Sequence, residues 1–190
     1  MVDVEGRIPS CDRERTRSLV SAALLTALMA ASGWISIPLG TVPVTFQVFG
    51  VVLAALLLPW AWAGASLGVY LVLGAIGVPV FASGTAGLGV VLGPTGGYLI
   101  GFVVAAPVAA LMRKALQNAG ARQLVADAMA AALAVVIVYA LGWAQLMAVA
   151  HMGVLPALLA GVAPFVVPDA VKAGVAITVA VAVRRATSAR

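Results

Sequence analysis

The sequence of 190 residues has very few charged side chains. Asp, Glu, Lys and Arg together make up 9% of it, against 64% for hydrophobic residues, and none of the four occurs between Ser18 and Met112. A soluble domain carries about 25% charged residues. The composition therefore excludes an ordinary soluble domain and predicts an integral membrane protein, because the stretch 18–112 alone has room for up to four helices of about 20 residues.

The residue types that build most catalytic and metal sites are also scarce. The chain has one cysteine, Cys11, and one histidine, His151, so an intrachain disulfide or a Cys/His zinc site is excluded. The glycine-rich stretch Gly89–Gly97 lacks the Lys-Ser/Thr pair with which an ATPase binds phosphates and magnesium. The residue patterns of membrane proteases are missing too. We therefore expect no enzymatic activity, no bound metal and no cofactor.

The basic residues fall in three groups, and they do not form the basic stripe with interleaved aromatics that binds nucleic acid. The groups are Arg7, Arg13, Arg15 and Arg17 before the first apolar stretch, Arg113, Lys114 and Arg122 in one internal loop, and Arg184, Arg185 and Arg190 at the end of the chain. Basic loops stay on the cytoplasmic side of a membrane. Both termini and the internal loop are therefore predicted to be cytoplasmic, with an even number of spans between neighbouring groups.

The apolar segments predict one all-α domain of six transmembrane helices, residues 18–185, between a polar cytoplasmic tail, 1–17, and a short tail, 186–190. The predicted spans are 18–36, 46–62, 64–78, 95–112, 124–149 and 168–184, and a short apolar segment, 154–162, is expected to enter the membrane halfway. Residues 13–33 are also compatible with a cleaved signal peptide. Acidic residues in the tail and the apolar residues that follow favour an uncleaved first span.

Three uncharged connections rich in glycine and proline, 33–47, 78–95 and 150–168, fall on the outer side in this topology. Non-helical backbone at membrane depth must be buried in protein or line a cavity. Asp169 and Lys172 lie on the same side, on one face of a helix predicted to start after Pro168. An ion at the bilayer centre costs roughly 2.5–3.5 kcal/mol. The pattern favours a site for a small polar ligand over the alternative, a purely structural ion pair.

Small residues recur every four positions along the first predicted span, at Ala23, Ala27 and Ala31. This spacing allows another helix to approach closely. The sequence leaves two interpretations of this alanine ridge open, namely packing within the chain and docking on a partner membrane protein.

Four motifs resemble the BioY family, the biotin-specific substrate-binding subunits (S components) of energy-coupling factor transporters. They are Thr41-Val-Pro-Val-Thr-Phe-Gln47, Gly74-Ala-Ile-Gly-Val-Pro-Val-Phe81, Gly93-Pro-Thr-Gly-Gly-Tyr-Leu-Ile-Gly-Phe102 and Pro168-Asp-Ala-Val-Lys172. The resemblance covers about residues 18–185. It implies a six-helix S-component fold in the plasma membrane, biotin bound at the outer face, and a coupling subunit and an ATPase pair as partners. Some members of the family are thought to work without that module. The resemblance also favours docking as the role of the alanine ridge.

The resemblance further implies how biotin is held. Asp169 would accept hydrogen bonds from the ureido N–H groups, and Lys172 would donate to the ureido carbonyl or, in the competing assignment, to the tail carboxylate. Hydroxyls and backbone amides of 41–47 or 93–98 would bind that carboxylate, and aromatic rings would cover the ligand. The implied substrate-binding residues are Thr45, Phe46, Gln47, Phe81, Ser83, Thr95, Gly96, Tyr98, Asp169 and Lys172. Ser83 stands where some relatives are expected to carry an amide side chain.

Other functions remain as alternatives to biotin uptake. One is an S component for another vitamin, such as thiamin or riboflavin, although a cationic thiamin suits a site with donors for a carboxylate poorly. Another is a passive facilitator or small channel, which usually shows a polar stripe through several spans. A scaffold subunit without a ligand is the last.

Overall fold

The computed structural model describes residues 10–38 and 42–188, and within these ranges the fold is almost entirely helical. The strands are the two-residue β1 (Ser36–Ile37) and β2 (Val44–Thr45). The helices are α1 (Ser10–Trp34), α2 (Gln47–Leu57), α3 (Trp60–Ala75), α4 (Leu88–Val91), α5 (Gly96–Asn118), α6 (Gln123–Ala150), α7 (Val154–Gly161) and α8 (Val166–Ser188), and two 3₁₀ turns occupy Ala82–Gly84 and Ala163–Phe165. Thr41 of the first motif, residues 1–9, the thiol of Cys11 and Arg190 lie outside the described residues.

α1 starts before the predicted span, because the polar segment 10–17 is helical. Asp12 lies in its first turn, where the helix dipole favours a carboxylate. The Thr16 hydroxyl donates to the Asp12 carbonyl oxygen at 2.8 Å, which ties the first turn to the second. The basic side chains Arg15 and Arg17 are therefore presented from a helix that continues directly into the apolar part of α1.

The predicted span 46–62 is wrong at its C-terminal end. α2 stops at Leu57, and Leu58 has extended backbone angles, φ −100° and ψ 149°. The cause is Pro59, because the ring of a proline disfavours helical angles in the residue before it. Trp60, placed by the sequence at the end of a span, instead begins α3.

α2 is the central helix of the bundle. All of its residues from Gln47 to Leu56 are buried, and it packs against α1, α3, α5, α6 and α8. A helix that is apolar on every side belongs inside a protein. Its 11 residues extend about 16 Å, roughly half of the hydrocarbon thickness of a bilayer. Its burial therefore comes from the surrounding helices, which cover it on all sides.

Four helical segments are long and apolar enough to cross a membrane. They are Glu14–Trp34, Gly96–Asn118, Gln123–Ala150 and Val154–Thr187, and α2 and α3 are apolar but shorter. The prediction of an all-α protein with several apolar helices is confirmed, apart from the two short strands. The count of six spans stays a prediction.

The three predicted connections are irregular, as expected, but each has a specific local structure. In the first, β1 and β2 pair as antiparallel neighbours, with Ser36 opposite Thr45 and Ile37 opposite Val44. The second carries a 3₁₀ turn and α4, and the third carries α7, which occupies the segment 154–162. These connections cover one end of the helix bundle.

α5 and α6 pack with their backbones close together, and glycines make this possible. A Cβ added to Gly97 would lie 2.2 Å from the carbonyl oxygen of Leu141, and one on Gly142 would lie 2.3 Å from the ring of Tyr98. Contacts under 3.0 Å do not occur between real atoms of this kind. This close approach is the small-residue packing expected between helices in a membrane, where lipid is as apolar as the side chains.

An ion cluster joins the helices at the end of the bundle remote from these connections. Asp127 of α6 is fully buried and accepts from Arg113 Nε of α5 at 2.6 Å and from both terminal nitrogens of Arg184 of α8. Arg184 Nη1 also donates to the carbonyl oxygen of Leu56 at the end of α2, at 3.2 Å. One acid thus connects α5, α6 and α8, and Arg184 extends the cluster to α2.

We predict that Gly97→Ala lowers the free energy of unfolding by about 3 kcal/mol, because the added methyl group collides with the backbone of α6. Gly68→Ala is the matched control, since a Cβ on Gly68 meets nothing within 4 Å. That change should leave stability unchanged or raise it by up to about 1 kcal/mol. Unfolding of the purified protein in detergent, followed by circular dichroism, measures both; equal stability of the two variants would contradict the packing described here.

Candidate functional site

A cavity of about 410 Å³ lies beneath the irregular connections, between β2, the start of α2, the segment 81–95 and the first turns of α5 and α8. Its volume is in the range of small-molecule sites, and its wall is mainly apolar with a few polar groups, as such sites are. The polar side chains on the wall are Thr45, Gln47, Ser83, Thr85, Thr95, Tyr139 and Asp169. The irregular connections therefore cover a site of ligand size.

The acid of the site lies in the first turn of α8. α8 begins at Val166, two residues before Pro168 rather than after it. Proline is tolerated there because the first turn of a helix has no intrahelical partner for its N–H groups. Asp169 is 3% exposed, and the positive end of the helix dipole favours its charge.

The basic partner of Asp169 is Lys172, one turn along α8. Its Nζ lies 2.7 Å from Asp169 Oδ1, and the same Nζ donates to the carbonyl oxygen of Thr45 at 2.7 Å. Lys172 is 9% exposed and is not among the residues that line the cavity in the described part of the chain. The predicted pair is present, with the acid on the wall of the cavity and the base joining α8 to β2.

A second donor to the acid comes from a different helix. Tyr139 of α6 lines the cavity, and its Oη donates to Asp169 Oδ2 at 2.8 Å. Each carboxylate oxygen thus accepts one hydrogen bond from the protein. Since a carboxylate offers about four lone-pair positions, two remain for a donor in the cavity.

Gln47, at the start of α2, belongs to a chain of hydrogen bonds along the wall of the cavity. Its Oε1 accepts from Thr45 Oγ1 at 2.9 Å, and its Nε2 donates to Tyr70 Oη. Tyr70 Oη donates in turn to the carbonyl oxygen of Val80 at 3.1 Å. Phe81, which is fully buried and lines the cavity, packs edge-on against Tyr70 with 5.7 Å between ring centroids. These bonds fix the β2 and 80–81 walls relative to each other.

The remaining predicted residues divide between the cavity and its surroundings. Ser83 and Thr95 line it, and Ser83 Oγ donates to Ser36 Oγ at 3.1 Å. Tyr98 lines it with its ring, while its hydroxyl donates to the Gly161 carbonyl oxygen at 2.7 Å.

Two predicted site residues support the wall without lining it. Phe46 packs on Phe49, with 4.7 Å between ring centroids. Gly96 is buried where a Cβ would lie 1.7 Å from the Val91 carbonyl oxygen, so it allows α5 to start close to α4. Direct ligand contacts of Phe46 and Gly96 stay predictions.

Comparison with known proteins decides the family. The model of the BioY family matches residues 7–189, nearly the whole chain. The chain belongs to the BioY family. Two relatives in that family are the "Probable biotin transporter BioY" of Pyrococcus horikoshii, 36% identical over 87% of this chain and 95% of the relative, and the "Biotin transporter BioY" of Thermotoga maritima, 39% identical over 89% and 96%. The family resemblance of the four motifs is thereby confirmed.

A solved structure shares the fold. It is the "S-component for biotin from an ECF-type ABC transporter", a crystal structure that superposes with a TM-score of 0.85 at 24% identity, over 94% of this chain and 95% of the other. At that identity the likeness concerns the fold. The predicted S-component fold of this BioY-family chain is therefore confirmed.

Besides Thr85, Tyr139 is a polar residue of the cavity wall that the sequence pattern does not single out. It lies on α6, 30 positions before Asp169, in a stretch without another polar neighbour in the cavity. No local spacing relates it to the four BioY-family motifs. Only the packing of α6 against α8 brings the hydroxyl to the carboxylate.

We predict that Asp169→Asn and Lys172→Met each lower the unfolding free energy by about 3–5 kcal/mol, because each leaves a buried ion without its counter-ion. The double variant should lose less than about 1 kcal/mol, since removing both charges removes the cost of burying them. Denaturant unfolding of the ligand-free protein measures the cycle. The exposed Asp12→Asn is the control and should change stability by at most about 0.5 kcal/mol. Additive losses in the double variant would contradict a coupled pair.

Proposed function

We propose that this chain is a biotin-binding membrane subunit that mediates biotin uptake, and that biotin occupies the cavity beside Asp169. The observation that carries the proposal is a buried carboxylate facing a mainly apolar cavity of about 410 Å³. Membership of the BioY family and the names of its relatives support the same ligand.

The chemistry of biotin suits the two poles of this cavity. Its ureido ring carries two N–H donors, and the free lone pairs of Asp169 are the acceptors that such donors need, in charge-assisted hydrogen bonds. Its thiophane ring is apolar and suits the apolar wall, to which Phe81 and Tyr98 contribute. Its tail carboxylate needs donors. The Thr95 hydroxyl lines the cavity, and the Thr45 and Ser83 hydroxyls would donate to the carboxylate in place of Gln47 Oε1 and Ser36 Oγ.

Lys172 supports this arrangement from behind the acid. Its ammonium group is directed to Asp169 and to the backbone of Thr45, and both distances are 2.7 Å. It therefore places a positive charge beside the buried carboxyl group and fixes β2 over the site. This favours the assignment in which Asp169 binds the ureido ring, over the one in which Lys172 binds the tail carboxylate.

The proposed topology has six spans, both termini in the cytoplasm and the site open to the outside of the plasma membrane. Along α8, Asp169 at the site and Arg184 of the ion cluster are 15 residues apart, roughly 22 Å. Arg113, Lys114 and Arg122 lie around the α5–α6 connection at that same remote end. Because basic residues stay on the cytoplasmic side, the cavity faces outward.

The alanine ridge is the proposed docking surface for a transmembrane coupling subunit with its pair of ATPases. Ala23, Ala27 and Ala31 are all exposed on α1. Their exposure supports docking over packing within the chain, since a ridge used for internal packing would be covered.

We predict that the Asp169→Asn/Lys172→Met double variant, which should fold, binds biotin about a hundredfold more weakly. The loss of two charge-assisted hydrogen bonds accounts for this factor. Equilibrium binding of labelled biotin to detergent-solubilised protein measures it, with Asp12→Asn as the control that keeps wild-type affinity. Excess thiamin or riboflavin should not displace the label. Wild-type affinity in the double variant would remove Asp169 from the site, and displacement by another vitamin would favour the alternative ligand.

We predict that Ala27→Leu reduces co-purification of the coupling subunit and biotin uptake at least about tenfold, because a larger side chain separates the docking helices. Biotin binding by the isolated subunit should be unaffected. Ala132→Leu is the matched control, as Ala132 is an exposed alanine on α6, away from the ridge. If both variants assemble equally well, the ridge is not the docking surface.

A further inference from the structure

A second cavity, of about 430 Å³, lies at the end of the bundle remote from the biotin site. Arg17 to Leu28 of α1 form one wall, Val183 to Thr187 of α8 form the other, and the connection Leu57–Pro59 closes it. None of the three alanines of the docking ridge lines this cavity. It is therefore a separate groove between α1 and α8, and we call it the α1–α8 groove.

The α1–α8 groove has a polar end and an apolar end. Towards the start of α1, Arg17 and Ser21 face the cavity together with Arg184 and Thr187 of α8. Further along α1 the wall consists of leucines, Leu24, Leu25 and Leu28, of which Leu24 is 66% exposed at the surface of the bundle. A ligand that matches this wall has a polar head and an apolar tail that leaves along α1.

The polar end carries excess positive charge. Within the described residues Arg17 forms no ion pair, and the buried Asp127 is shared by Arg113 and Arg184. The guanidinium groups of Arg17 and Arg184 line this end of the groove, and among the described residues no carboxylate lines it. The Arg184 side chain is 21% exposed, so its charge is felt in the groove. The head of a matching ligand is an anion.

We propose that the α1–α8 groove binds an anionic phospholipid, with the phosphate head between Arg17 and Arg184 and an acyl chain along the leucines of α1. A zwitterionic lipid lacks the net negative charge that the arginines require, and a soluble phosphate leaves the apolar wall unfilled. Basic side chains next to an apolar helix face are the pattern by which membrane proteins attract anionic lipid. The site is independent of the biotin cavity and of the alanine ridge.

The test compares dioleoyl phosphatidylglycerol with dioleoyl phosphatidylcholine, titrated into the detergent-solubilised full chain, with retained lipid counted by native mass spectrometry. The wild-type chain should retain one phosphatidylglycerol in preference to phosphatidylcholine. Arg17→Gln should weaken that binding about fivefold. Arg15→Gln, which removes an equal charge from an exposed position outside the groove, should leave it unchanged.

A second pair of variants tests the groove without changing charge. Ser21→Trp fills the groove and should abolish retention of phosphatidylglycerol, whereas Val20→Trp adds the same ring on the exposed face of α1 outside the groove and should not. All four variants should bind biotin normally, which separates this site from the proposed function. Equal retention of the two lipids by the wild-type chain, equal effects of Arg17→Gln and Arg15→Gln, or retention in Ser21→Trp would each overturn the proposal.

Discussion

The candidate site depends on one buried ion pair, Asp169 with Lys172. The Asp169 carboxylate is only 3% exposed. Burying it lowers the free energy of unfolding unless nearby charges and hydrogen-bond donors compensate for the lost hydration. Lys172 supplies the opposite charge, Tyr139 supplies a second donor, and the start of α8 supplies its dipole. Because these three partners come from α8 and α6, while Thr45 holds Lys172 from β2, the pair also sets the distance between the walls of the cavity.

A second buried acid, Asp127, connects helices at the other end of the bundle. Asp127 binds Arg113 and Arg184, and so fixes α5, α6 and α8 where the chain leaves the apolar region. Between the two acids the contacts are mainly apolar, with a few buried hydrogen bonds such as Thr26–Ser66, and glycines let α5 and α6 approach closely. Where lipid is as apolar as the helices, such packing and a few buried polar contacts hold the bundle together. The helices are thus fixed at both ends, and the candidate functional site lies at the end that carries Asp169.

The sequence predicts the long helices and the location of the site because both follow from local composition. The absence of charge between Ser18 and Met112 defines apolar segments, and Asp169 with Lys172 identifies the polar end of the last one. The break before Pro59 was missed because the apolar pattern continues through it, although the restriction that proline places on Leu58 is a local signal that was available. Tyr139 and the Gln47–Tyr70 bond had no such signal, since each joins residues from different helices whose contact depends on tertiary packing.

The Asp169–Lys172 pair carries no net charge, and this affects which end of a ligand it can bind. One acid and one base cancel, so the Asp169 side of the cavity presents hydrogen-bond acceptors without a net charge. A neutral ring with N–H donors gains those bonds there at little electrostatic cost, whereas a charged group would need a counter-ion of its own. The charged tail of a ligand such as biotin is therefore best placed near the connections, where Ser83 and Thr85 are exposed and water can solvate it. In the proposed binding mode, Lys172 thus contributes to selectivity through Asp169, by fixing which pole of the ligand faces the carboxylate.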